Sequence, residues 1–241
     1  MTSSYRFEPI GLVESPYPEK FGIPRQPGLA PNLISKVKLL GEFNNPDSVR
    51  GLEQCSHIWL LFVFSECVDK GWTPTVRPPR LGGNKRMGVF ATRSPFRPNP
   101  IGMSPVKLIA IENNNGQVEL LVSSADLLDG TPIIDIKPYL PYSDNISGAE
   151  CDFAPDIPLL TQQLLFSDQA DQICVEIEAQ LRQPYKKQVE ELLKCDPRPA
   201  YKKDDPEKSY GVRLHHTNIR FRISSEAIFV DSIEVITPSN T

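Results

Sequence analysis

Polar and apolar residues alternate in short bursts through most of the first 140 positions of this chain. Tyr5–Glu14 alternates weakly and reads as a first strand, and Ser35–Leu40 alternates more clearly as a second. Ser56–Phe64 is aromatic and β-branched, the composition of a buried strand. Met87–Thr92 reads as a short strand. Ile101–Ile111 and Gln117–Ser123 alternate on either side of Asn113-Asn114-Asn115-Gly116, which predicts a hairpin turn. Pro132–Tyr139 is a further strand, Pro46–Glu53 a single helical turn, and Pro16–Gly28 a proline-rich irregular loop. Seven or eight short strands in this span predict a barrel or a sandwich.

The pattern then changes. Ser143–Asp168 is polar and acidic and reads as a linker or long loop. Ile173, Val175 and Ile177 alternate and predict a strand. Pro184–Cys195 reads as a helix, with proline in its first turn and Val189, Leu192 and Leu193 on one face. Ser209–Leu214, Asn218–Ile223 and Ala227–Ile236 are three more strands, so the second part predicts a small α+β domain.

Composition narrows this picture. The 24 prolines among 241 residues oppose long helices, and 39% hydrophobic residues suffice for a core. The net charge of -4 argues against general coating of nucleic acid. The start, MTSSYRFEP, has no apolar leader, and the apolar run Ile58–Phe64 is too short to span a bilayer, so a soluble, cytoplasmic protein is expected. Five cysteines and three histidines are scattered without metal-ligand spacing, so neither a zinc site nor a disulfide framework is expected.

Charge is distributed unevenly. Between Arg77 and Gly102 stand Arg77, Arg80, Lys85, Arg86, Arg93 and Arg97, with no acid. Guanidinium groups on a Pro/Gly loop can fork onto phosphate or carboxylate oxygens, while the plainer reading is a solvated barrel rim. Asp129-Gly130-Thr131-Pro132 has the chemistry of a turn. Around it lie Asp126, Asp135, Lys137 and Tyr139, and alternation puts the last three on one face, where they could grip a base or take a proton. Pro24–Gly28 offers an arginine and an amide on a rigid turn. Asp196–Tyr201, followed by Lys202 and Lys203, is either a helix stop or a contact for an RNA backbone and a stacked base. No Gly-rich phosphate loop follows a strand into a helix, which argues against a Rossmann-type cofactor site.

GLEQCSHIWLLFVF (51–64), RPPRLGGNKRMGVFATRSPFRPNPIGMS (77–104), DLLDGTPIIDIKPYLPY (126–142) and DPRPAY (196–201) together resemble the TsaA/TrmO (YaeB-type) family. The resemblance implies a mainly β fold: an N-terminal β-barrel domain (1–142) binding S-adenosylmethionine, a linker (143–168), and a small α+β C-terminal domain (169–241) that contacts tRNA. It implies a homodimer that methylates N6 of N6-threonylcarbamoyladenosine beside the anticodon. Carried over by motif, Arg25, Gln26, Pro27, Ser65, Glu66, Arg93, Leu128, Asp129, Gly130 and Thr131 form the cofactor pocket. Asp129 or Asp135 is the candidate base. Arg77, Arg80, Arg86 and Arg97 are candidates for the threonyl carboxylate or nearby phosphates, and Lys137, Tyr139, Arg198 and Tyr201 for other substrate contacts. The alternative from another class is a noncatalytic RNA-binding module.

Overall fold

The structure is a computed structural model and describes residues 4–78, 85–154, 159–198, 205 and 207–236. Six antiparallel strands close into a barrel: β1 (Gly11–Glu14), β2 (Ile34–Leu39), β3 (His57–Val63), β6 (Ile101–Asn114), β7 (Gln117–Ser123) and β8 (Pro132–Pro138). Their order around the wall is β1-β2-β7-β6-β3-β8. Closure leaves no free edge, and every second residue turns inward. Val13, Val37, Leu39, Ile58, Leu60, Phe62, Val106, Leu120, Val122 and Ile133 meet in the interior. Of the two architectures the pattern allows, the barrel is the one formed.

A separate two-stranded ribbon stands outside the wall: β4 (Thr75–Val76) paired with β5 (Met87–Gly88). The strand expected over Met87–Thr92 is therefore only its first two residues, and Val89–Ala91 winds into a 3-10 turn. The strand expected over Tyr5–Glu14 is likewise confined to Gly11–Glu14.

After a one-turn helix, α1 (Pro141–Asp144), the chain builds a second layer. Strand β9 (Gln163–Phe166) lies within the stretch of weak patterning and pairs in parallel with β12 (Ala227–Val235). β10 (Tyr210–Leu214) and β11 (Thr217–Ile223) complete a sheet of order β10-β11-β12-β9. Helices α2 (Asp168–Leu181) and α3 (Tyr185–Lys194) cover one face of it. The strand expected at Ile173–Ile177 is instead the middle of α2. The Ser167 hydroxyl caps this helix, accepting from the Ala170 N–H at 3.1 Å. Ala170, Cys174 and Ile177 are buried at helical spacing, while Val175 is 65% exposed. Among the described residues no helix is long and apolar enough to cross a membrane.

The close approach of β3 and β6 sets one wall of the barrel near its open end. Gly102 faces Phe62 across the ladder, and a Cβ built on Gly102 falls 2.3 Å from the Phe62 ring. That ring meets Phe64 edge-on, with centroids 5.1 Å apart, and so has little room to retreat. Gly102→Ala is expected to destabilise the protein by about 2 kcal/mol through overpacking. Urea unfolding of the two proteins checks this, and equal midpoints with equal slopes would refute it.

Candidate active site

The irregular segment between β1 and β2, residues 16–33, is proline-rich and makes no strand, so other elements must hold it. Tyr17, Ala30 and Leu33 are buried, and they pack with Tyr185, Leu192 and Val212 of the C-terminal domain in one apolar cluster. The His215 N–H donates to the Pro16 carbonyl at 2.7 Å. The Gln188 amide donates to the Asn32 carbonyl at 2.8 Å, and Glu191 accepts from the Asn32 N–H at 2.8 Å. The segment is thus fastened to the C-terminal domain at both ends, and Phe21 and Ile23 in its middle pack against the same cluster.

Its other side meets the barrel mouth, where the residues expected at the cofactor gather. The Asp129 N–H donates to the Tyr17 carbonyl at 2.9 Å, while the Asp129 carboxylate accepts from the Ser15 N–H at 2.8 Å. The Gly28 N–H donates to the Ser124 carbonyl and the Ala30 N–H to the Ser124 hydroxyl, both at 3.1 Å. The Arg93 guanidinium donates to the side-chain carbonyl of Gln26. Lys20, six residues before Gln26, is paired with Glu66 at 2.9 Å. One loop therefore joins all four expected segments: Arg25-Gln26-Pro27, Ser65-Glu66, Arg93, and Leu128-Asp129-Gly130-Thr131. Arg25, Ser65, Glu66, Arg93, Asp129 and Gly130 are exposed there, whereas Thr131 is buried and donates its hydroxyl to the Leu128 carbonyl at 2.6 Å. Gly130 has φ +75°, the left-handed region that glycine enters without steric cost.

Asp126 belongs to the same cluster, although the sequence marks it only as one acid among several near the Asp129 turn. Its carboxylate accepts from the Ser104 hydroxyl at 2.6 Å. Burial raises its pKa, with that hydrogen bond and the nearby Arg93 charge opposing the rise. The available signal was an acid inside the apolar run Ala125–Leu128 directly after a strand, which needs a partner if it points inward. Asp135 is placed differently. It lies part-way along β8, paired with Lys137 at 2.8 Å, and among the described residues no contact joins it to the loop cluster. Tyr139 packs on Trp59, with ring centroids 5.7 Å apart.

The cationic stretch divides. Arg77 directly follows β4 and Arg86 directly precedes β5, so both extend the ribbon and both are exposed. Arg86 reaches the Thr75 hydroxyl at 3.4 Å. Arg97 turns back onto its own loop, donating to the carbonyls of Thr92 at 3.2 Å and Ser94 at 3.5 Å. Arg80 lies outside the described residues. In the C-terminal domain Arg198 is only 7% exposed and is paired with Asp196 at 2.8 Å, which ties the chain after α3. Tyr201 also lies outside the described residues.

Known proteins of the same architecture place this chain. Residues 12–145 match the tRNA-methyltransferase O N-terminal domain and residues 161–236 the TrmO C-terminal domain. The chain is 46% identical over 233 residues to the tRNA (adenine(37)-N6)-methyltransferase of Escherichia coli (strain K12), covering 96% of this chain and 99% of that protein. It is 44% identical to a Pseudomonas aeruginosa protein described as a putative S-adenosylmethionine-dependent methyltransferase, over 90% of this chain and 92% of that one. A crystal structure of TrmO from Pseudomonas aeruginosa superposes with a TM-score of 0.79 at 36% identity, covering 96% of this chain and 100% of that chain. A barrel with an α+β appendage, matched in both parts and along its length, identifies the chain as a member of the tRNA-methyltransferase O family.

Proposed function

We propose that this protein transfers a methyl group from S-adenosylmethionine to N6 of N6-threonylcarbamoyladenosine beside the anticodon of tRNA, as a cytoplasmic homodimer. The observation that carries this reading is the convergence of Gln26, Glu66, Arg93 and Asp129 around one anchored loop at the barrel mouth. Their chemistry suits the cofactor. The Arg93 guanidinium is a fork for its carboxylate, and the Glu66 and Asp129 carboxylates are acceptors for its ammonium and ribose hydroxyls.

When bound, the cofactor supplies an electrophilic methyl carbon on a sulfonium. The protein's part is placement. The loop held by Tyr17 and Ser124 fixes one reactant at the mouth, and Arg77 and Arg86 on the ribbon offer cations to the threonyl carboxylate or a phosphate of the other. A carbamoyl substituent makes the N6 hydrogen more acidic, so a carboxylate at the mouth can take it as the N6–methyl bond forms. Asp129 fits that task better than Asp135. Asp129 is exposed within the cluster, and its described bond to Ser15 uses one oxygen, whereas Asp135 is paired with Lys137.

Arg93→Ala is expected to raise the Michaelis constant for S-adenosylmethionine about 30-fold, the loss of one charge-assisted contact. Radiolabelled methyl transfer to tRNA measures it, and unchanged kinetics would remove Arg93 from the pocket. The substrate is tested by mass spectrometry of tRNA nucleosides from cells lacking the gene. Undiminished methylated threonylcarbamoyladenosine would refute it. Tight tRNA binding with no calorimetric response to S-adenosylmethionine would establish the noncatalytic alternative.

A further inference from the structure

The C-terminal sheet has one face against α2 and α3, and among the described residues its other face is uncovered. Alternation along β10 and β11 sends Val212, Leu214, Ile219 and Phe221 into the core, so Gly211, Arg213, Asn218 and Arg220 share the open face. The register sets Gly211 opposite Arg220 and Arg213 opposite Asn218, which makes the two arginines diagonal neighbours. A third arginine on this face, Arg222, is neutralised by a paired contact to Asp231 at 2.8 Å. Among the described residues neither Arg213 nor Arg220 has an ion-pair partner, and the buried Nε of Arg213 has no hydrogen-bond acceptor.

Two features show that the space around them is shaped. Gly211 leaves room for its neighbours: an added Cβ would lie 3.2 Å from Arg220 Nη1 and 3.1 Å from Asn218 Oδ1, a tight contact. The Arg220 guanidinium therefore lies close over Gly211 of β10. Together with Glu19, Glu234 and Asn218, the arginines line a shallow, open depression of about 550 Å³. Glu19 comes from the loop that carries Gln26, and its carboxylate accepts from the Arg213 backbone N–H at 3.2 Å.

We propose that this depression is a second RNA contact, in which Arg213 and Arg220 hold a phosphate while Glu19 and Glu234 accept from the adjoining ribose 2′-hydroxyl or a base amine. The proposal rests on the tRNA reading given above. The mixed lining identifies the ligand. Two carboxylates beside two guanidiniums repel a bare anion, but a ribose–phosphate unit presents an anion and a hydroxyl donor at neighbouring positions. Through Glu19, RNA seated here touches the loop whose far side faces the cofactor.

The test compares the full-length protein with Arg220→Gln and with Arg213→Gln/Arg220→Gln. Fluorescence anisotropy with a labelled tRNA transcript gives affinity across a salt series, and calorimetry gives S-adenosylmethionine affinity. Arg220 is exposed, so its replacement leaves the fold intact. The double variant is expected to bind tRNA about tenfold more weakly at physiological salt, with the slope of log affinity against log salt shallower by about 2. Cofactor affinity stays at the wild-type value. Wild-type tRNA affinity and salt slope in both variants would overturn the site while leaving the tRNA reading standing. Failure of the wild-type protein to bind tRNA at all would overturn both. Displacement of tRNA from the wild-type protein by millimolar inorganic phosphate, beyond the effect of chloride at equal ionic strength, would replace the ribose–phosphate site with a plain anion site.

Discussion

Gly22→Ala is expected to cost about 3 kcal/mol of stability and to weaken cofactor binding with it. Two independent effects add. Gly22 has φ +97°, a conformation that costs an L-residue about 1–2 kcal/mol. An added Cβ would also lie 2.2 Å from the Val212 side chain, well inside contact distance, and relieving it costs about 1–3 kcal/mol. Val212 is fully buried in β10, so the loop must yield rather than the sheet. The loop that yields is the one whose Gln26 meets Arg93, whose Lys20 meets Glu66 and whose Tyr17 carbonyl holds Asp129. Cofactor affinity, measured by calorimetry, should therefore fall together with the unfolding midpoint. Adding Val212→Ala relieves the collision but not the backbone strain, so the double variant should recover part of both losses. A Gly22→Ala protein with wild-type cofactor affinity would show that anchoring to the C-terminal domain does not support the pocket.

This coupling was not legible in the sequence, whereas the barrel largely was. β2, β7 and the middle of β6 alternate, and a wall with one buried face leaves that imprint whatever it surrounds. The segment at 16–33 buries Tyr17 and Leu33 in a core completed by residues between Ala170 and Ile233, and local pattern carries no trace of that partner. Helix α2 is masked in the sequence for a related reason. Ile173, Val175 and Ile177 alternate over five positions, but Ala170, Ile173, Cys174, Ile177 and Leu181 recur at helical spacing, and the Ser167 cap precedes them. The longer window decides between the two periods. Motif marks Arg93 and Asp129 as cofactor candidates, yet only the fold shows that one loop joins them. Asp126 is the reverse case, visible as an acid in an apolar run but without meaning until Ser104 and Arg93 stand beside it. The arginines of the cationic stretch look equivalent in sequence. The fold separates Arg77 and Arg86, set on the ribbon, from Arg97, which turns back to bond its own loop.

The same junction that anchors the loop gives the protein an acid limit. His215 sits in the β10–β11 turn with φ +51°, its N–H on the Pro16 carbonyl. Its Nε2 lies 3.0 Å from the Gln188 side-chain oxygen, and Gln188 in turn donates to the Asn32 carbonyl. Because that oxygen can only accept, the neutral ring carries its proton on Nε2, and an added proton must enter at Nδ1. Burial, reinforced by the neighbouring His216, lowers the pKa to about 4. The unfolded chain has the ordinary value near 6.5, so between the two the unfolded state binds more protons and stability rises with pH. The contribution is complete above about pH 6.5, and about 3 kcal/mol is lost by pH 4. Urea unfolding at pH 7, 5.5 and 4.5 measures the loss, and a His215→Asn variant isolates it, since asparagine tolerates the positive φ and does not titrate. The variant should be flatter than wild type across this window, and cofactor affinity of the wild-type protein should fall over the same range as the grip on Pro16 and Asn32 loosens. Parallel stability profiles in the two proteins would assign the acid sensitivity elsewhere.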